Sequence, residues 1–442
     1  MLSPLCSLRR KLAMSINTSK RIQIFQALKS RPFLFFWLGQ TISAMGNDAF
    51  GIALAWEVLI ITGSAEQMAL VRIVEELPRI IFLLLGGVAA DRLPKRRVIL
   101  WADSGRALLV SLVTLLAWLH QLQIWHVMLV GLIFGTVRGF FGPAYRALLP
   151  QLVESKELLP SVNAMNGLSK QGSQLIGPSL GAALFAVLGP ISAFLFDALT
   201  FVFSAFCMFV MGRPGVRQQG KSSSLMADTA TQKTPLFQHV GRDIVDGLRY
   251  VWSVPWIWLS TVLVSLAGAG LAGLDQIALP KLLKESQLQL NGILLFGGVG
   301  SALALGALLS TMFIGQLPFR HRGIVAYSGL ILLGLAFLLF ALPPSSILIA
   351  FIFLGAGVLV GFGDGLFEIM WDMQLQTHVP AEKLGRVYSI YLLGANSLVS
   401  VGLWEAGFIS DHFGAAWAFI GGGILSIVLA LIGLSQRSIR QA

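Results

Sequence analysis

The stretch GGVAADRLPKRR, residues 86–97, changes character halfway. A small-residue apolar run gives way to one acid (Asp91), a turn proline (Pro94) and four bases (Arg92, Lys95, Arg96 and Arg97). Apolar runs at about 65–90 and 97–119 flank the charges. Each is long enough to cross a hydrocarbon core of ~30 Å. The charges therefore mark a loop between two membrane helices. Gly86 and Gly87 let helices approach closely, Asp91 and Arg92 cap the turn, and Pro94 keeps the helix from running on.

Outward from this loop the same kind of run recurs. Twelve apolar stretches occur, at about 33–60, 65–90, 97–119, 124–147, 164–188, 190–211, 256–280, 291–314, 324–342, 346–370, 387–409 and 414–434. None alternates as a membrane strand would, and each is about twice a strand's length. The 442-residue chain is 55% hydrophobic and 12% charged, whereas a soluble domain carries about 25% charged residues. These features predict an all-α integral membrane protein with twelve transmembrane helices in two six-helix, pseudo-symmetric bundles.

The net charge of +11 is sorted by loop, which argues against nucleic acid as a partner. Arg72, Arg79, Arg106 and Arg138 lie well inside spans, Lys281 and Lys284 on the outer side, and every other base in an inner loop or toward the inner end of a span. The positive-inside rule then puts both termini in the cytoplasm of a multi-pass protein of the cytoplasmic (inner) membrane. The start, MLSPLCSLRRKLAMSINTSKR, lacks the apolar core of a signal peptide. Cys6 and Cys207 offer no disulfide framework.

The expected organisation is a cytoplasmic tail at 1–32, a six-helix bundle at 33–211, a cytoplasmic linker at 212–255, a second bundle at 256–436 and a tail at 437–442. In the linker Leu236, Val240, Ile244, Leu248 and Val251 recur at helical spacing, which predicts an amphipathic helix on the membrane face. The halves resemble each other: GLIFGTVRGFFG (131–142) aligns with GVLVGFGDGLFE (357–368). Duplication explains the matched span order, and chance similarity of glycine-rich helices is the alternative.

Enzyme motifs fail on context. GVRQQGKS (215–222) fits a P-loop pattern but lies in the linker; GPSLG (177–181) fits a nucleophile elbow and GAGLAG (268–273) a dinucleotide fingerprint, but both lie within spans. The six histidines lack metal-ligand spacing. The expectation is a protein that is not an enzyme, with no catalytic residues, no metal and no cofactor.

The pattern from Gly87 to Arg97, G-x-x-x-D-R-x-P-K-R-R, resembles the signature loop of the major facilitator superfamily. The resemblance implies that Gly87, Asp91, Arg92, Pro94 and Arg96 form a cytoplasmic gate. Asp91 is expected to dock at the start of span 11, near Gly385 and Arg386, where a helix N-terminus favours a carboxylate. The matching loop of the second half, GQLPFRHRG (315–323), has lost the acid. Arg138 to Ala144 resembles the span-four arginine motif of proton-coupled members, with Phe141 where glutamine is common. Gly172, Gly177, Pro178 and Gly181 resemble the span-five hinge motif of antiporters, with Ala182 in place of its last glycine. The stretch SAMGNDAFGIALAW (43–56), the gate loop and TVRGFFGPAYRALLPQLV (136–153) resemble the macrolide-efflux branch of drug–proton antiporters.

Charges inside a bilayer cost about 2.5–3.5 kcal/mol on insertion scales, so each needs a reason. Asp48 and Arg72 are expected at similar depth, with Glu75 near the midplane and Arg79 one turn below it as a partner. Asp48, then Glu75, are the candidate proton carriers; Arg72 is a further proton-coupling candidate, and Arg138 is the base that would hold the carboxylate's charge state or pair with it in one conformation. A structural salt-bridge network is the competing reading. Asp275, Asp364 and Glu368 in the second half are weaker candidates. The resemblance implies a monomer embedded in the lipid bilayer that exchanges protons for a small amphiphilic substrate. A siderophore exporter or lysophospholipid flippase of the same fold, and a sensor or assembly partner that does not transport, are the alternatives.

Overall fold

The computed structural model describes residues 25–153, 155–211, 247–286, 289–314, 317, 319 and 321–441. Its helices fall where the apolar runs lie. Spans 1 to 6 are Arg31–Thr62, Ala65–Arg92, Lys95–Trp118, Ile124–Leu148, Leu159–Leu188 and Pro190–Val210. Spans 8, 9, 10 and 12 are Gln289–Ile314, Arg322–Leu339, Ile347–His378 and Ala415–Ser435.

Spans 7 and 11 depart from the continuous helices expected. Span 7 runs over Pro255–Leu271, breaks at Gly273, and resumes through a π-turn at Leu274–Ala278 into Leu279–Glu285. Gly273 has φ +82°, which a residue with a Cβ resists. Span 11 starts at Ala381, pauses at Leu398, continues over Val399–Ile409, and turns through Ser410–Gly414 into span 12.

Nine stretches among the described residues are long and apolar enough to cross a bilayer by length and composition. Spans 2 and 5 are not among them, and spans 11 and 12 count as one stretch. Span 2 carries Arg72, Glu75, Glu76 and Arg79 within two turns, and span 5 is rich in Ser, Asn and Gln. Polar groups at these positions lower hydropathy without breaking the helix.

Packing forms two compact units. One comprises the described residues within Met1–Gly51, Glu75–Gly177 and Leu188–Gly215; the other those within Ile52–Val74, Pro178–Val187 and Val216–Ala442. Spans 1, 2 and 5 thus pass from one unit to the other along their length, span 5 at the Gly177–Pro178 peptide of the hinge motif. The first unit buries Phe33, Phe36, Ile99 and Met165 in one apolar cluster. The second buries Trp56, Phe296, Phe340 and Phe419 in one cluster and Tyr327, Phe367 and Trp371 in another.

The internal repeat is visible in the packing. A Cβ on Gly135 of span 4 would overlap the Glu75 carbonyl of span 2, and one on Gly361 of span 10 would overlap the Leu303 carbonyl of span 8. Gly139 likewise faces Phe82, and its counterpart Gly365 faces Ser310. Aligned glycines thus make the same even-numbered span contact in each half, as duplication predicts and chance similarity does not.

Candidate functional site

In the first unit, the charges of spans 2 and 4 pair. Arg138 donates to Glu75 at 2.8 Å, with the Glu75 side chain 13% exposed. Gly135, one turn before Arg138, removes the Cβ that would hold the two backbones apart. Arg79 bonds Glu76 at 2.6 Å. The expected Arg79–Glu75 pairing is therefore corrected: Glu75 points to span 4, and Glu76 takes the base on its own helix.

Asp48 is half-buried on span 1. Span 5 passes so close that a Cβ on Gly177 would lie 2.6 Å from the Asp48 Cβ. Ser173, one turn before Gly177, lies beside the Asp48 side chain, and the charges of Arg138 and Lys170 act on it. Arg138 thus bonds one candidate carrier while its field reaches the other. Gly172 faces open space, so of these two motif glycines only Gly177 makes a close approach.

A second, deeper network was missed in the sequence. Asp103 on span 3 is fully buried and bonds Arg106 at 2.6 Å. Gln40 of span 1 and Ser204 of span 6 donate to its other oxygen at 2.9 and 2.7 Å. The Arg106 guanidinium lies 4.5 Å from the Phe141 ring centroid and 4.6 Å from that of Phe201. This accounts for Phe141 at the position where the span-four motif commonly has glutamine: the ring covers a buried cation. Asp197 of span 6 is also fully buried; the Thr200 hydroxyl donates to its backbone carbonyl at 2.7 Å and reaches its Oδ1 only at 3.4 Å. Asp103 could have been found in the sequence, since an acid three residues before Arg106 shares its helix face. Asp197 had no base within a turn in sequence to signal it.

The gate loop differs in detail from expectation. Span 2 runs through Arg92, and Pro94 is the residue on which span 3 begins. A Cβ on Gly86 would overlap the Gly139 carbonyl of span 4, whereas Gly87 faces open space; close approach belongs to Gly86. Arg96 donates to the carbonyls of Met208 and Phe209, at 2.8 and 3.1 Å, at the end of span 6. A cation there satisfies carbonyls that the helix leaves unpaired. The side chains of Asp91 and Arg92 lie outside the described residues, as do the N-terminal part of the tail, the linker at 212–246 and most of the 315–320 loop.

The second unit holds the remaining candidates. Arg72 donates to Gln276 at 2.7 Å, beside Asp275 in the π-turn of span 7. On span 10 Asp364, Glu368 and Asp372 follow at four-residue spacing, one helical face. Asp411, after span 11, accepts from the Ser64 hydroxyl and the Ala65 and Glu66 N–H groups at 2.6, 2.9 and 2.9 Å. Lys281 bonds Asp411 at 2.9 Å and Glu285 at 3.1 Å, and donates to the Gly63 carbonyl at 2.6 Å. Lys284 donates to the Leu59 carbonyl. Lys281 and Lys284 thus bind backbone carbonyls at the end of span 1. Among the described residues no group of His, Cys, Asp and Glu has metal-ligand geometry.

A bundle of membrane-crossing helices with paired charges in its interior defines a polytopic transport-type protein. The chain belongs to the Major Facilitator Superfamily, whose family model matches residues 36–403. It is 26% identical to the multidrug efflux pump Tap of Mycolicibacterium fortuitum over 414 residues, 92% of this chain and 95% of that one. It is 22% identical to macrolide efflux protein A of Streptococcus pyogenes, over 90% of this chain and 94% of that one. Among solved structures, the nucleoside transporter NupG superposes with TM-score 0.67 at 12% identity, covering 91% of this chain and 98% of that one. A bacterial homologue of the iron transporter ferroportin superposes with TM-score 0.67 at 18% identity, covering 92% and 99%. These two likenesses bear on the fold alone.

Proposed function

We propose that this chain is a secondary transporter that exports an amphiphilic, drug- or macrolide-like small molecule in exchange for protons by alternating access. The observation that carries the reading is Asp48: an intramembrane carboxylate between Ser173 and Gly177, in the field of an arginine that is itself paired with Glu75. Burial opposes a carboxylate's charge and a nearby cation favours it, so a change in the distance to Arg138 changes proton affinity. Gly177 stands against Asp48 and is followed in the helix by Pro178, so bending there would alter that distance. Asp48 takes the proton, Glu75 holds Arg138 in the alternate pairing, and the gate loop with Arg386 acts as the latch. The protein works as a monomer in the cytoplasmic membrane with both termini inside. The relatives named for multidrug and macrolide efflux support export and cargo class.

The test is proton movement in proteoliposomes that contain a pH-sensitive dye, with macrolides, lipophilic cations, a siderophore and lysophospholipids added in turn. Cargo-driven proton flux that Asp48→Asn abolishes is expected for one class. Equal flux in wild type and variant would show that Asp48 is structural. No flux with any cargo would remove proton coupling.

A further inference from the structure

A cavity of about 380 Å³ opens where the linker helix, described over residues 247–253, meets the start of span 11. Gly247, Arg249, Tyr250, Ser253, Lys383 and Arg386 line it. Three of the six are bases, and none of these described lining residues is an acid. Glu382 adjoins Lys383 in the chain but is not in the lining. We propose that this cavity binds the phosphate of an anionic phospholipid from the adjoining leaflet.

The cavity is built by packing. A Cβ on Gly247 would lie 2.9 Å from Ile390 and 3.3 Å from the Arg386 Cβ, so the glycine lets the linker helix seat against span 11. The Lys383 ammonium lies 4.6 Å from the Tyr250 ring centroid, which fixes it at the rim. The Ser253 hydroxyl donates to the Tyr250 carbonyl at 2.7 Å, so its proton is committed. Recognition therefore falls on Arg249 and Lys383, with Arg386 beside them in the lining, bases suited to a phosphodiester that carries one negative charge.

The surroundings favour a lipid over free phosphate. Trp252 is 64% exposed and stacks on Trp258 with centroids 5.4 Å apart. Exposed indoles beside bases are the signature of the membrane interface, where rings sit at headgroup depth. Acyl chains could run along these rings while the phosphate enters the basic cavity. Arg386 is also the base that the gate motif assigns to the latch, so an occupied cavity would bias the gate. The lipid site stands independently of cargo and coupling ion.

The test uses the purified full-length protein in neutral detergent, titrated with phosphatidylglycerol, phosphatidylcholine or inorganic phosphate. Lipid binding is read by native mass spectrometry and by the melting temperature. Wild type is expected to bind phosphatidylglycerol and melt higher, and to respond to neither phosphatidylcholine nor inorganic phosphate. The variant Arg249→Gln/Lys383→Gln is expected to bind phosphatidylglycerol about thirtyfold more weakly, from about 1 kcal/mol per base at a membrane surface. Lys383→Arg should retain binding. Unchanged affinity in the double variant would overturn the proposal. An equal response to phosphatidylcholine or to inorganic phosphate would also overturn it. If the double variant does not fold, Lys383→Gln alone decides, with an expected loss of about fivefold.

Discussion

The carboxylate of Asp411 accepts a hydrogen bond from the backbone N–H of Glu66 at 2.9 Å. An acid at the end of span 11 thus caps the first turn of span 2, whose opening N–H groups lack partners within the helix. Ser64 and Ala65 donate to the same carboxylate, and Gly407 packs its backbone on Ala65 and Glu66.

Asp411→Ala should therefore loosen this end of the molecule. Three donors lose a charged acceptor, and Lys281 retains only Glu285 and the Gly63 carbonyl. The expected loss is about 1–3 kcal/mol, read as a lower melting temperature in detergent, with Asp411→Asn in between. A melting temperature equal to wild type would mean that the cap adds nothing net.

The pair Glu75–Arg138 predicts coupled phenotypes. Each single neutral substitution, Glu75→Gln or Arg138→Gln, leaves the other charge inside the bundle and should lower both stability and transport. The exchange Glu75→Arg with Arg138→Glu should recover part of the stability. A double-mutant cycle with neutral substitutions is expected to give about 1–3 kcal/mol of coupling. Additive effects would show that the 2.8 Å contact is energetically idle.

Two glycines of the span-five motif should behave differently. Gly177→Ala drives a methyl into the Asp48 Cβ, 2.6 Å away, and should cost about 1–3 kcal/mol by overpacking. Gly172→Ala meets open space and should leave stability level or raise it by up to about 1 kcal/mol. Thermal melting of the two variants side by side checks this; equal losses would contradict it.

Asp103→Ala should be among the most damaging single changes in the first unit. Arg106, with 8% of its side chain exposed, would keep its rings but lose its bonded anion. Removing one partner of a buried pair costs about 3–5 kcal/mol. Folded yield in membranes is the measurement. Asp103→Asn should be milder, because Ser204 and Gln40 still find an acceptor oxygen.

If Asp48 couples protons to cargo, efflux should be fastest with an inward proton gradient and should fall when an ionophore collapses it. Asp48→Asn, which cannot release a proton, should transport without that dependence. Cargo movement by wild type that ignores the gradient would contradict the coupling.

Composition and period alone decided the membrane environment and the twelve helical spans. An apolar run of about 20 residues has few ways to satisfy its backbone in lipid, and helix is the one local sequence can meet. The glycine repeat was legible too, since a missing Cβ marks close approach wherever the partner lies. The loop at 86–97 carried the family, because its charges serve a local turn. Which acid meets which base was not legible. Glu75 and Glu76 are neighbours in sequence, yet helix rotation sends one to Arg138 and the other to Arg79. Arg72 stands one turn from Glu76 but bonds Gln276, 204 residues away. Asp411 reads as a loop residue until the fold brings the start of span 2 against it. Pairings across hundreds of residues depend on how spans rotate and pack, and only the tertiary structure sets that.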